Sequence, residues 1–399
     1  MCRRTTEALR RSPAAILLIL ALSGGLPDSA AAKCSVGGGL GSTLLFPYFE
    51  VDLANPGGLT SLIAINNESG LATLARVVVW TDWAIPVLSF DIYLKARDVQ
   101  TMNLRDVLNG VIPSTGSGDD LSGFANCGAK PPFHANPALD AVASTLLRNG
   151  VTGLGFLGSC VGEPHGDLHA RGYVTVDAVK ACSGISTSAT GPTPALGATY
   201  FANTATVKNS LWGDLLLVDP AENSAQGIEA VHIEGDAALQ ASDSNTFYGH
   251  FVGWTGVDRR SPLPSLWATR YLNGGVFSGG TDLLVFRSRT TATLSRPCGS
   301  HPSWYPLVAS TVSGRDEDTN PTLGLTNTTE FPLATQRVAI GDVGPGPTSP
   351  FGRVQINFGF PDGKPAGAWL IPVMTASGRF SVGLNGTPVN DGCGLDPTP

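Results

Sequence analysis

Between Leu44 and Leu108, short apolar and β-branched runs alternate with clusters of turn residues, a pattern that fits an antiparallel β-fold and little else. Leu44–Val51, Thr60–Ile65, Leu74–Thr81, Val87–Leu94 and Val99–Leu108 each read as a strand. Asn55-Pro56-Gly57-Gly58, the stretch 66–70 and Ala84-Ile85-Pro86 break them apart with residues that favour turns. Five strands in about sixty-five residues predict an antiparallel β-sandwich.

Residues 1–32 read as a signal peptide. Arg3, Arg4, Arg10 and Arg11 form a basic start, Ala14–Leu22 is a short apolar run, and Ser29-Ala30-Ala31-Ala32 offers small residues for cleavage before Lys33. The apolar run is far shorter than the roughly twenty residues a membrane helix needs. A charged Lys33 in front of Cys34 argues against a lipid-anchored start. Removing four Arg, Glu7 and Asp28 takes the formal net charge from −7 to −9. So acidic a chain lacks the basic footprint of a nucleic-acid binder, and no other run is long enough for a membrane span.

Seven cysteines become six once Cys2 is removed with the signal. Cys34, Cys127, Cys160, Cys182, Cys298 and Cys393 are an even set in a chain read as exported, which predicts three disulfides. Cys127 and Cys160 bracket the same insertion and are the expected pair. No Cys-x-x-Cys spacing suggests a zinc or redox site.

With 49 Gly, 29 Pro and only 14% charged residues, the rest of the chain reads as turn-rich and all-β, in two sandwich domains. The first occupies 33–185 with an insertion at 109–171; 186–197 is a linker, and the second domain fills 198–399. Pro137–Asn149 is the one helix: Leu139, Val142, Ala143, Leu146 and Leu147 share a face, and Gly150 is placed to stop it. Gly172–Val179 reads as the strand returning from the insertion. Two ungapped self-alignments compete. One lays Leu44–Asn67 on Ser265–Ser288, the other Thr60–Trp80 on Pro321–Gly341, and both claim Leu62.

Leu44-Leu45-Phe46-Pro47-Tyr48, Asn67-Glu68-Ser69, Trp80-Thr81-Asp82-Trp83 and Phe90 to Leu94 followed by Asp98-Val99-Gln100 resemble a group of uncharacterised exported bacterial proteins. The likeness covers mainly residues 44–108. It implies immunoglobulin-like extracellular modules and no assigned activity.

Signals for chemistry are sparse. Gly153-Leu154-Gly155-Phe156-Leu157-Gly158 spells a dinucleotide fingerprint, but Ser159 to Pro164 cannot continue as the helix that motif requires. His165, Asp167 and His169 would point one way on an extended segment and could share a metal; a turn at Gly166 would send them apart, which is the expected outcome. Asp316, Glu317, Asp318 and Asn320 offer hard oxygens for calcium, and Asp119-Asp120 is a weaker acidic pair. Gly-x-Ser-x-Gly is absent. Trp80 and Trp83 face opposite ways if their strand is unbroken, leaving one exposed to stack on a sugar or partner.

These features predict an exported, non-enzymatic β-sandwich protein of the cell envelope or exterior that binds a surface component or glycan. No cofactor, nucleic acid or metal is expected. The rival expectation is a glycan hydrolase with its site in the loops 109–171 or 297–320.

Overall fold

The apolar runs form strands throughout. In the first half these are β1 (Thr43–Asp52), β2 (Thr60–Asn67), β3 (Thr73–Thr81), β4 (Pro86–Leu94), β5 (Val99–Asn103), β6 (Ser159–Cys160), β7 (His169–Val179), β8 (Ser186–Thr187), β9 (Leu211–Asp219), β10 (Ser224–Glu229) and β11 (Val231–Ile233). In the second they are β12 (Leu266–Leu272), β13 (Gly280–Arg287), β14 (Arg296–Pro297), β15 (Ser310–Arg315), β16 (Pro321–Thr329), β17 (Thr335–Ala339), β18 (Phe351–Asn357), β19 (Ala368–Ala376), β20 (Phe380–Gly383) and β21 (Thr387–Pro388). Helices α1 (Leu104–Leu108), α2 (Ala141–Val151), α3 (Ala198–Asn203) and α4 (Phe247–Val252) are short. This computed structural model describes residues 39–389 apart from 134–138, 188–197, 240–245, 253–257, 275–279, 289–294, 306–309, 317–319, 345, 360–365, 377–379 and 384. The expected signal segment, Cys34, Cys393 and most of the expected linker lie outside the described residues.

The strands pair antiparallel into a six-stranded sheet (β11-β1-β7-β3-β4-β8), a four-stranded sheet (β10-β9-β2-β5), a five-stranded sheet (β16-β15-β18-β12-β21) and a second four-stranded sheet (β17-β13-β19-β20). A two-stranded ladder joins β14 to β6. Nine strands of the second half repeat the arrangement of nine in the first. The order β11-β1-β7-β3-β4 matches β21-β12-β18-β15-β16, and β10-β9-β2-β5 matches β20-β19-β13-β17. This selects between the two self-alignments. The first lays β1 on β12 and β2 on β13, which hold equivalent places; the second lays β2 on β16 and β3 on β17, which do not.

The same plan relocates the boundary between halves. Strands β9 and β11, beyond the expected linker at 186–197, pair with β2 and β1. A sheet edge left open by a break at 186–197 is thus filled from later in the chain. Helices α3 and α4 also belong to the first half: Tyr200 and Tyr248 donate to buried Asp177 on β7 at 2.7 and 2.9 Å, and Arg260 approaches it at 3.4 Å. The halves therefore change over at Ser261-Pro262-Leu263-Pro264-Ser265, inside the single compact unit Cys34–Pro399.

The sheets stack in four layers. β1 contacts β2 and β9 on one side and β13 and β17 on the other, while β12 packs on β13 and β19. The six-stranded sheet is thus covered on both faces, and β1, β3 and β7 are buried almost end to end, as expected of a sheet with no solvated side. The five-stranded sheet has one open face, and β15 alternates buried with exposed residues.

Several local expectations are corrected. The fifth strand ends at Asn103, whose side chain accepts the Arg105 N–H at 3.0 Å and caps α1, so 104–108 is helical. Asp140 caps α2 at the Ala143 N–H, which starts the helix after Leu139, and Val142 is exposed. Gly150 lies inside α2 rather than stopping it; a Cβ there would stand 3.0 Å from Val161 and 3.4 Å from Val87. The left-handed residue that follows α2 is Gly153, at φ +69°.

The expected Cys127–Cys160 disulfide is not formed. Cys127 pairs with Cys182 and Cys160 with Cys298. The Cys182 N–H donates to the Ala125 carbonyl at 2.9 Å, which brings the 125–127 turn beside the end of β7. Cys160 sits on β6, whose partner β14 immediately precedes Cys298. The second bridge therefore links the two halves.

Candidate functional site: a cleft between the halves

A cavity of about 490 Å³ opens where β1, β7 and the 165–167 turn meet the segment 332–338 of the second half. The ladder between β1 and β7 is irregular between Phe46 and Phe49, and beyond that point Tyr48 and Glu50, two apart on the strand, both line the cleft. The Tyr48 hydroxyl donates to Glu50 Oε2 at 2.8 Å. Glu50 Oε1 accepts from Arg171 at 2.8 Å and meets His169 Nδ1 at 3.0 Å. Arg171 grips both oxygens of Asp167, each at 2.9 Å, in the fork geometry suited to carboxylates. Across the cleft, Arg337 pairs with Asp282 at 2.6 Å, and Gln336 accepts the Leu333 N–H at 3.1 Å.

The electrostatics follow from these contacts. Burial pushes the Glu50 carboxyl up, but Arg171, the Tyr48 hydroxyl and His169 together outweigh it and hold it below its usual value. The hydrogen bonds from Arg171 are the largest influence on Asp167, whose carboxyl is held down at about 2. Burial, reinforced by Glu50, raises the Tyr48 hydroxyl well above its ordinary value. The cleft therefore presents fixed ion pairs and a neutral phenol.

His165, Asp167 and His169 all sit at or beside this cleft, yet they part company. Gly166 turns at φ +82°. His165 Nε2 goes to Asp82 at 2.8 Å, Asp167 to Arg171, and His169 to Glu50. Among the described residues, no three His, Cys, Asp or Glu side chains gather as a metal ion would require.

Other sequence signals find structural roles. Gly155 has φ +73°, and a Cβ there would stand 2.4 Å from Cys298 Sγ, so the glycine run makes room for the bridge between halves. Asp119 pairs with Lys95 at 3.1 Å, and Asp120 accepts the Ser122 N–H at 2.9 Å. Asp316 accepts twice from Asn320, at 2.8 and 3.0 Å; Glu317 and Asp318 lie outside the described residues. Trp80 and Trp83 are both buried, because β3 ends at Thr81 and the following turn folds Trp83 back to donate to Glu163 at 3.1 Å. Tyr48, Glu50, Arg171 and Arg337 went unread. The only hint was two polar positions, Tyr48 and Glu50, in an otherwise apolar strand.

No family model, no curated protein and no solved structure matches the chain.

Proposed function

We propose that this is an exported, non-enzymatic protein of two immunoglobulin-like β-sandwich modules, and that the cleft between its halves binds a surface component such as a glycan. The repeated strand plan and the likeness of residues 44–108 to exported bacterial proteins support the modular reading. The signal-like residues 1–32 and two disulfides support export. No helix among the described residues is long and apolar enough to cross a membrane.

One observation favours binding over hydrolysis. Both carboxylates facing the cleft, Glu50 and Asp167, are held ionised by Arg171. Glycoside hydrolysis by paired carboxyl groups needs one of them raised so that it can donate a proton near neutral pH. The ion-paired cleft suits recognition of hydroxyl-rich ligands, with carboxylates accepting and Arg171, Arg337 and the Gln336 amide donating.

The test is to titrate the purified protein with cell-envelope oligosaccharides while following both bound ligand and released reducing ends. Saturable binding that Arg171→Ala weakens, with the ligand recovered intact, is the expected result. Ligand cleavage lost in Glu50→Gln or His165→Ala would replace this reading with the hydrolase.

A further inference from the structure

Four arginines of this molecule are matched to an acid. Arg76 meets Asp91 at 2.9 Å, Arg171 meets Asp167 at 2.9 Å, Arg260 meets Asp177 at 3.4 Å, and Arg337 meets Asp282 at 2.6 Å. The open face of the five-stranded sheet sets arginines beside one another instead. On β12, β18 and β15, its three successive inner strands, Arg270 lies directly opposite Arg353, and Arg353 directly opposite Arg315. All three are exposed. Among the described residues, neither Arg270 nor Arg353 has an acidic side chain or a side-chain hydrogen bond as partner.

Directly opposed residues on neighbouring strands point to the same side with Cβ atoms about 5 Å apart, and like charges so placed destabilise the sheet. Folding gains nothing from setting Arg270 directly against Arg353. A row of this kind is relieved by a ligand bearing repeated anions at similar spacing. Guanidinium forks suit carboxylates and sulfates, which they can grip with two parallel hydrogen bonds.

We propose that this face binds an acidic polysaccharide, with Arg270, Arg353 and Arg315 taking anionic groups on neighbouring sugar units. The rows beside the arginines fit that ligand class. Gln355 opposite Ser313 and Asn357 opposite Thr311 offer amides and hydroxyls to sugar hydroxyls, and Phe351, 42% exposed, offers a ring face on the other side. A nucleic-acid surface would want several stacking aromatics and a basic chain, and a membrane surface would want an apolar helix beside the charges. The choice of a polysaccharide rests on the reading of the protein as an exported binder; the arginine row itself is separate from the cleft.

The experiment measures binding of the purified full chain to polygalacturonate, dextran sulfate and unsubstituted dextran, with duplex DNA and phosphatidylglycerol vesicles as further arms. Polygalacturonate or dextran sulfate should bind, more weakly as salt rises from about 50 to about 200 mM, and unsubstituted dextran should not. The arm that binds more tightly distinguishes carboxylate from sulfate as the group recognised. Arg353→Ala should lower the affinity by about tenfold or more, and Arg353→Lys should recover only part of it because the planar fork is lost. Circular dichroism melts check that both variants remain folded. Binding unchanged in Arg353→Ala, equal binding of unsubstituted dextran, or tighter binding of DNA or vesicles overturns the proposal. So does sedimentation showing that the arginines instead drive self-association. Glu50→Gln, in the cleft, should leave polygalacturonate binding intact. Loss of oligosaccharide binding at the cleft with retention here would sink only the cleft reading, and the converse only this one.

Discussion

The six-stranded sheet of the first half and the five-stranded sheet of the second hold equivalent places in the repeat, yet they live in different surroundings. The face of the six-stranded sheet that meets the second half sets Trp80 directly opposite Tyr173, both buried, where the open face of the five-stranded sheet has Arg270–Arg353–Arg315, all exposed. A strand plan fixes which residues share a row. What the row must be made of depends on whether another layer covers it. The first half has the second half packed on that face, and no described element of this chain covers the open face of the second.

That contrast can be broken most forcefully at Trp80. It stacks on Tyr173 at 5.6 Å and donates to Thr175 at 2.9 Å; Tyr173 in turn meets Phe286 of the second half edge-on at 5.1 Å. Trp80→Ala should cost about 3–5 kcal/mol in denaturant unfolding, whereas Gln355→Ala on the open face should stay within about 0.5 kcal/mol. Similar losses at both positions would mean that the two faces are equally covered.

The disulfides give the next largest effect. Cys160–Cys298 closes a span of 138 residues between halves, and Cys127–Cys182 one of 55 within the first. Replacing either pair with serines should cost about 2–5 kcal/mol. Chain entropy alone makes the longer bridge worth about 0.8 kcal/mol more. Thermal melts of the two double variants compare them, and a larger loss for the shorter bridge would rule out loop entropy as the deciding factor.

The smallest effect is the pH response of Asp167. Its carboxyl is held at about 2 against an ordinary 3.8, so the stabilisation is whole above pH 3.8 and fades as the pH falls toward 2. The side chain is 42% exposed, and screening by water keeps the contribution under about 1 kcal/mol. Asp167→Asn should remove that part of the acid slope; an unchanged slope would assign it to Glu50 instead.

Much of the strand pattern was legible because each run of 44–94 carries its own turn residues at both ends. The repeat was legible only as two rival alignments, since a short sequence match has no knowledge of which strands pair. The halves' true changeover was missed because the polar, Gly/Pro-punctuated stretch near 186–197 looks like a linker, while β9 and β11 return across it by long-range pairing. At the cleft, the His165–His169 stretch drew notice by its residue types. Glu50 and Arg171 did not, since a lone acid and a lone base far apart in the chain signal nothing until β1 and β7 lie side by side.

The crossed disulfides set an order of events for a chain oxidised from its N-terminal end. Of the four described cysteines Cys127 appears first and Cys160 second, and the shortest span between any two thiols at that moment joins them. Neither has its native partner yet. A fast oxidant acting on the emerging chain would therefore trap Cys127–Cys160, and reaching the native set would demand that this bond be opened again by a later thiolate. Production of the protein should accordingly depend on shuffling capacity rather than oxidising power. A thiol–disulfide buffer or an isomerase would raise the yield, and a stronger oxidant would lower it.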